Sequence, residues 1–347
     1  MGPLATHPYA RRLDTLKDLF GRPDVELVEA GLKVGERVYP VLDGVVILLD
    51  QDQYPDSLRR RLGAAPNAVA AGDYAPDVQA TFGAEWREFS EILPEHEREF
   101  AEYFDLVPLE SLRGERVCDL GCGSGRWSHF LRGRCRERIL VDFSDAIFVA
   151  RRNLAGDEDA LFFMADLTRL PFRDGFADFL FCLGVLHHLP TPALQAVRAL
   201  ARCAPRLLVY LYYALDNRPP HYRLLLNVAT AVRRLTARIR GERAREAIAW
   251  AGAVGVYRPL VAIGSVLERG GHGSAVPLFE TYRGKSLRRI RQDVYDRFFT
   301  RIEQRGTKSE IEALADTFAE LRVSPGPPYW HFLCESSTAA GTPEALP

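Results

Sequence analysis

Apolar residues recur along this chain with two periods, and the alternation between them lays out a plan. Between Glu115 and Tyr213 come five short, nearly continuous apolar runs: "RVCDL", "RILVDF", "LFFMA", "DFLFCL" and "RLLVYLYY". Runs this short, set off by Gly, Asp and Pro, predict buried strands. Between them the spacing becomes helical, predicting helices at 126–134, 145–155 and 192–203. Apolar strands separated by helices imply a parallel sheet with helices on both faces, a doubly wound α/β fold.

The flanks read differently. The first fifty residues end in "RVYPVLDGVVILLD", short strands around an Asp43-Gly44 turn. Residues 51–80 are rich in Pro, Ala, Gly and Asp and predict a linker or mobile loop. From Phe82 to Phe104 the pattern is helical, with Pro94 opening a second helix at its first turn. Leu224, Leu225, Val228, Val232, Leu235 and Ile239 fall at i, i+3, i+4, i+7 spacing, an amphipathic helix. A second helical run covers roughly 243–268, and the pair reads as a packed helical hairpin. Thr307-x-x-Glu310 is a capping box ahead of Ile311, Leu314 and Phe318. "AELRVSPGPPYWHFLCES" then predicts two strands joined by a Pro-Gly turn, and the tail from 337 reads as disordered.

Composition changes this picture in one place. The 347 residues carry a formal net charge of −1 and 47% hydrophobic residues, which gives no global case for nucleic-acid or membrane binding. Between Asp216 and Arg305, however, 18 Lys+Arg stand against 8 Asp+Glu, a local +10 that leaves −11 elsewhere. Such a stretch is either a solvated helical surface or a face turned toward an anionic substrate or partner. An Arg-rich face opposite an apolar stripe also suits peripheral contact with an anionic lipid interface. The six cysteines form no CxxC pair and no His stands at metal-ligand spacing, so no metal is expected and a reducing, cytoplasmic setting fits. The start lacks the apolar core of a signal peptide, and no run of about 18 apolar residues suggests a membrane span.

Chemistry concentrates in "VCDLGCGSGRW", Val117 to Trp127. A strand ends at Leu120, and Gly121, Gly123 and Gly125 let a ligand approach the main chain. A dinucleotide loop wants G-x-G-x-x-G, but Arg126 stands where the third glycine belongs. A phosphate loop wants Gly-Lys-Ser/Thr, and no lysine is present. Asp119 beside the loop repels polyphosphate and suits a cation.

The segment thus resembles motif I of the class I S-adenosylmethionine-dependent methyltransferases, in the branch of methyltransferase-11 and quinone C-methyltransferase-like enzymes. The resemblance spans roughly 110–215, with 307–335 following in pattern only. It implies S-adenosylmethionine as cofactor and S-adenosylhomocysteine as product, in a seven-stranded Rossmann-like sheet. Asp119, Gly121, Cys122, Gly123 and Gly125 would form the loop around the amino-acid end. Asp142, closing "ILVDF", would accept both ribose hydroxyls, with Phe143 flanking adenine. Asp166 in "MADLTRLPF" would take the adenine amino group, with the Leu167 amide at the ring. Leu183 and Gly184 would lie near the methionine portion. Taken singly, Asp119 or Asp166 is equally a cap or turn residue; their joint placement at successive strand ends overturns that.

For His187 and His188 in "LHHL", the alternatives are a general base and a buried structural pair. Alternation aims Tyr210 and Tyr212 one way and Tyr213 the other, so not all three can line a cleft. Tyr212, Tyr213, Tyr295, Asp296, Arg297 and Arg301 are substrate candidates. Trp86, Phe82 or Tyr103 either closes over the cofactor or packs between helices. "YPVLDGVVILLD" faintly resembles the Trm112-type module without its zinc cysteines.

The expected division is 1–50 Trm112-like and β-rich, 51–110 linker and helical cap, 111–213 cofactor-binding core, 214–305 helical lid inserted between the fifth and sixth strands, 306–336 closing helix and strands, and 337–347 tail. The implied reaction is methyl transfer to an O, N or C nucleophile of a small or lipid-like metabolite rather than nucleic acid. The alternatives are an RNA or other macromolecular methyltransferase and a non-catalytic binding module.

Overall fold

The five apolar runs of the middle region become neighbouring parallel strands. The computed structural model describes residues 7–65, 75–239 and 241–336; the predicted tail lies outside them. Four strands precede the middle region: β1 (Val25–Val28), β2 (Gly31–Val34), β3 (Arg37–Leu42) and β4 (Val45–Ile47). The middle region supplies β5 (Arg116–Leu120), β6 (Glu137–Asp142), β7 (Ala160–Met164), β8 (Phe179–Leu183) and β9 (Arg206–Tyr210). The last two are β10 (Glu320–Val323) and β11 (Phe332–Glu335).

All eleven form one sheet in the order β1-β2-β3-β4-β7-β6-β5-β8-β9-β11-β10. The expected seven strands are its last seven positions. The N-terminal strands extend them: Asp43 (φ 50°) and Gly44 (φ 76°) close the β3–β4 hairpin, and β4 pairs in parallel with β7. The three β4 side chains are fully buried, so this segment is part of the main core rather than a separate module. Along β6, Ile139 and Val141 enter the core on one face while Leu140 enters the core on the other. The order turns around β5, with β6 on one side and β8 on the other, and leaves a crevice at the strands' C-terminal ends.

The helices, in chain order, are α1 (Leu13–Phe20), α2 (Asp56–Leu62), α3 (Ala75–Glu88), α4 (Glu95–Tyr103), α5 (Arg126–Phe130), α6 (Ala146–Asn153), α7 (Ala193–Leu200), α8 (Pro220–Thr236), α9 (Glu242–Gly252), α10 (Arg258–Leu267), α11 (Phe279–Tyr282), α12 (Leu287–Phe299) and α13 (Lys308–Glu312). The linker expected over 51–80 is partly helical. Leu58 is buried, and the Arg59 guanidinium donates to the carbonyls of Tyr54 and Ala65, which fastens α2 despite its polar composition. Residues 66–74 lie outside the described part. At α13 the capping box forms in both directions: Thr307 Oγ1 accepts from the Glu310 amide, and Glu310 accepts from the Thr307 amide.

The insertion departs most from expectation. α8 packs on α12, but with its polar side inward: Arg233 donates to the carbonyls of Thr300 and Arg301, and Thr236 to that of Phe298. The predicted stripe of Leu224, Leu225, Val228, Val232 and Leu235 faces outward. The expectation of a hairpin burying that stripe is therefore corrected. The periodicity was read correctly, but hydrogen bonds to the end of α12, rather than apolar burial, orient the helix. α9 and α10 join through a π-helical turn over Ala253–Tyr257 into one helical run, Glu242–Gly270, that is long and apolar enough to cross a membrane by length and composition. This corrects the expectation that no such run exists; from Ala247 to Leu267 only Arg258 is charged.

Candidate functional site

A cavity opens at the crevice. Its floor is the strand ends, its walls are the α3–α4 cap, and its far side is α12 with α11. Of the cofactor candidates, Gly121, Asp142, Phe143, Asp166, Leu167, Leu183 and Gly184 line it, while Asp119, Cys122, Gly123 and Gly125 lie behind that surface. Asp119 is turned away because its carboxylate accepts from Ser128 Oγ on α5 at 2.7 Å. Burial raises its pKa to about 7, opposed by that hydroxyl. Cys122 packs into the core beneath α6. At Gly123 (φ 53°) the bare Cα is met by the protein's own cap: a Cβ there would lie 2.7 Å from the Trp86 ring.

The two acids at adjacent strand ends are held differently. Asp142, closing β6, accepts from the Ser144 amide and hydroxyl on Oδ1 and from the Gly123 amide on Oδ2 at 2.9 Å. Burial raises its pKa, opposed first by the Ser144 amide. Asp166, just beyond β7, accepts from Thr168 on Oδ1 and from Gln53 Nε2 on Oδ2 at 2.9 Å. Gln53 thus brings an amide from the N-terminal region to the atom expected to meet an adenine amine. The Arg169 guanidinium also reaches Asp166 Oδ2 at 3.4 Å, whereas Asp142 Oδ2 has the Gly123 amide alone among the described residues and keeps acceptor capacity.

Facing these acids is Arg126, the first residue of α5. It lines the cavity with its guanidinium 5.0 Å from the Trp86 ring centre and 4.3 Å from that of Trp127. Its Nη1 is buried with no hydrogen-bond partner. Burial and then the neighbouring Arg289 lower its pKa, opposed by the more distant charges of Glu99 and Asp293. The sequence reading weighed Arg126 only as a missing glycine.

The two histidines separate. His187 is fully buried, stacked on Tyr212 at 3.9 Å and absent from the cavity lining. Burial, then His188, pushes its pKa well down, so it stays neutral. His188 lines the cavity, with Nδ1 2.8 Å from the Ile302 carbonyl. A carbonyl only accepts, so Nδ1 carries a proton, and Nε2 is buried with no hydrogen-bond partner among the described residues.

Among the substrate candidates, Tyr212, Asp296 and Arg297 line the cavity, whereas Tyr213 and Tyr295 do not. Strand alternation sends Tyr213 to the Tyr329 and Trp330 rings, and Tyr295 packs against Phe89 and Phe299. Tyr212 donates its hydroxyl to Asp296, whose other oxygen is buried and unpartnered. Phe82, Trp86 and Tyr103 all line the cavity, so the cap residues both cover the crevice and pack between helices.

Sequence reasoning missed a charged face on α12. Arg289 binds Glu99 of α4 at 3.1 Å and Asp293 one turn on; Lys285 binds Glu99 at 2.8 Å. Burial alone would raise the Glu99 pKa, but Arg289 and Lys285 hold it well below the carboxylate range. Glu85 of α3 moves the other way: burial, then Asp296, raises its pKa well above normal, and only Gln292 donates to it. Residues 289, 292, 293, 296 and 297 share one helical face, so an i, i+3, i+4, i+7 polar pattern was the available signal.

Residues 117–206 match the model of a family described as a methyltransferase domain. A demethylmenaquinone methyltransferase of Clavibacter sepedonicus is 42% identical over 66 residues, which are 19% of this chain and 27% of that protein. The chain therefore aligns with about a quarter of that relative. Among solved structures, the magnesium protoporphyrin IX methyltransferase of Synechocystis PCC 6803 with bound S-adenosylhomocysteine is similar at 18% identity (TM-score 0.37), covering 80% of this chain and 91% of that one. A protein of Pyrococcus horikoshii OT3 is similar at 24% identity (TM-score 0.31), covering 36% of this chain and 63% of that one.

Proposed function

We propose that this chain, whose residues 117–206 match the model of a methyltransferase domain, is a class I methyltransferase that transfers a methyl group from S-adenosylmethionine to an O, N or C nucleophile of a small or lipid-like metabolite. One observation carries this reading. Carboxylates at the ends of two adjacent parallel strands share one cavity with a guanidinium whose Nη1 is buried and has no hydrogen-bond partner among the described residues. That donor set fits a nucleoside bearing an amino-acid tail. Asp142 would hold the ribose hydroxyls, Asp166 the adenine amine, and Arg126 the carboxylate, whose charge relieves the unpaired cation.

The bound cofactor would supply a methyl group already activated on a sulfonium. The chain's own work is then alignment, exclusion of water and management of one proton. Phe82, Trp86 and Tyr103 close the crevice from the cap. His188 Nε2 receives the acceptor's proton, while Nδ1 stays fixed to the Ile302 carbonyl so that the ring cannot turn. Tyr212 and Asp296 orient the acceptor hydroxyl or amine beside it.

The test is incubation with labelled S-adenosylmethionine and a panel of phenols and quinols bearing short isoprenoid tails. The expected result is a product heavier by one methylene, formed by the wild type and lost in His188→Asn. Cofactor binding without transfer to any of the panel would instead support a non-catalytic module.

A further inference from the structure

The outer face of the insertion is built inside out. Among the described residues, twelve large apolar side chains are exposed, and eleven of them lie on α8 and the α9–α10 run, each with 43–65% of its surface in solvent. On α8 these are Leu224, Leu225, Val228, Val232 and Leu235; on the longer run they include Trp250, Val254, Val256, Ile263 and Val266. The inward side of that run combines small residues with Tyr257, Ile248 and Val261, which pack on the core formed with α12. A Cβ at Gly252 would lie 2.9 Å from Val294, and one at Gly264 would lie 2.4 Å from Phe279. Ala249 and Ala253 are buried there as well. A helix serving only its own protein puts most of its large apolar residues inward; these two elements leave eleven of theirs in solvent.

The charge along the apolar stripes has one sign, the acids of the longer run, Glu242, Glu246 and Glu268, standing at its two ends. α8 contains no acidic residue, nor does the stretch from Ala247 to Leu267. The exposed cations beside the apolar stripes are Arg223, Arg234, Arg238 and Arg258, none of which has an ion-pair partner among the described residues. They belong to the stretch that carries 18 basic against 8 acidic residues.

We propose that α8 and α9–α10 form a docking surface for an anionic phospholipid bilayer, lying in the interface with the apolar stripes among the acyl chains and the arginines at the headgroups. Trp250 is suited to headgroup depth. A second copy of this chain is disfavoured, because a two-fold contact through α8 would set arginine against arginine with no acid on that helix. A nucleic acid is disfavoured, because the cations are spread over apolar surface rather than gathered along a groove. The run does not cross the bilayer, because its inner side is committed to α11 and α12 through Gly252, Ala253 and Gly264. This inference stands independently of the proposed reaction.

The test is co-sedimentation of the full chain with vesicles of phosphatidylcholine alone and with an equal mixture of phosphatidylglycerol, without cofactor or acceptor. Binding to the mixed vesicles is expected to be at least about tenfold tighter than to phosphatidylcholine, to weaken with added salt, and to shift Trp250 emission to the blue. The Val228→Glu/Leu235→Glu and Val256→Glu/Ile263→Glu double variants are each expected to lose about tenfold or more, with thermal unfolding unchanged because these side chains are exposed. Absence of wild-type binding, binding unchanged in both variants, or a dimer that these substitutions convert to monomer without any vesicle binding would each overturn the proposal.

Discussion

The sheet and the insertion use the same residue types in opposite arrangements. In the sheet, Val117, Leu140, Phe163 and Phe181 are fully buried, and the polar groups emerge only at the strand ends. In the insertion, Arg233, Arg289 and Gln292 are buried, while leucines and valines of α8 stand in solvent. The sheet is a scaffold whose apolar content is consumed by folding, leaving a few carboxylates at a crevice. The insertion has two working surfaces: a charged inner one against the cavity, and an apolar, cationic outer one. Burial therefore separates what holds this molecule together from what it presents to others.

The largest effect that sharpens this contrast is catalytic. If the proposed base is right, His188→Asn should lower kcat by about 10² to 10⁴ with little change in cofactor affinity, because Nε2 has no hydrogen-bond partner among the described residues to lose. His187→Asn should instead lower thermal stability, since that ring is stacked within the core and away from the cavity. Equal kinetic losses in both variants would erase the distinction.

Next is a matched pair of truncations read by denaturant unfolding. Phe181→Ala in the sheet should cost about 3–5 kcal/mol, whereas Leu235→Ala on α8 should stay within about 0.5 kcal/mol. Comparable losses would mean that the apolar stripe of α8 is packed after all.

The smallest effect is a slope. The folded pKa of Asp119 is raised to about 7, above the ordinary carboxylate value of roughly 4. Between those values the folded state binds the extra proton, so stability present below about pH 4 is lost as pH rises to about 7. Asp119→Asn keeps an oxygen for Ser128 and should flatten that part of the stability–pH curve. An unchanged slope would mean that the carboxylate is not buried as described.

The sheet was legible from sequence because its strands are fully buried, and burial on both faces leaves continuous apolar runs such as "LFFMA". Tyr213 was partly legible: alternation excluded one of the three tyrosines from the cleft, and the odd-numbered one is the residue that leaves. The insertion was not legible in the same way. Leu224 to Leu235 have the period of a buried stripe, and periodicity gives the angular width of an apolar face without saying what covers it. Orientation came from Arg233 and Thr236 reaching main-chain carbonyls of α12 and the turn after it, tertiary bonds with no local sequence signal. Asp119 has a similar cause: motif spacing located it beside the loop, but the hydroxyl of Ser128 decides where its carboxylate points.

In the proposed function, the cavity at the strand ends takes S-adenosylmethionine through Asp142 and Arg126. The most direct measurement is calorimetric titration of S-adenosylhomocysteine into the wild type, Asp142→Ala and Arg126→Met. The account predicts saturable one-to-one binding to the wild type. It also predicts a loss of about 30- to 100-fold in Asp142→Ala, the worth of charge-assisted hydrogen bonds. Arg126→Met should lose its preference for S-adenosylhomocysteine over the decarboxylated analogue. No heat with the wild type, or affinities unchanged in both variants, would contradict it.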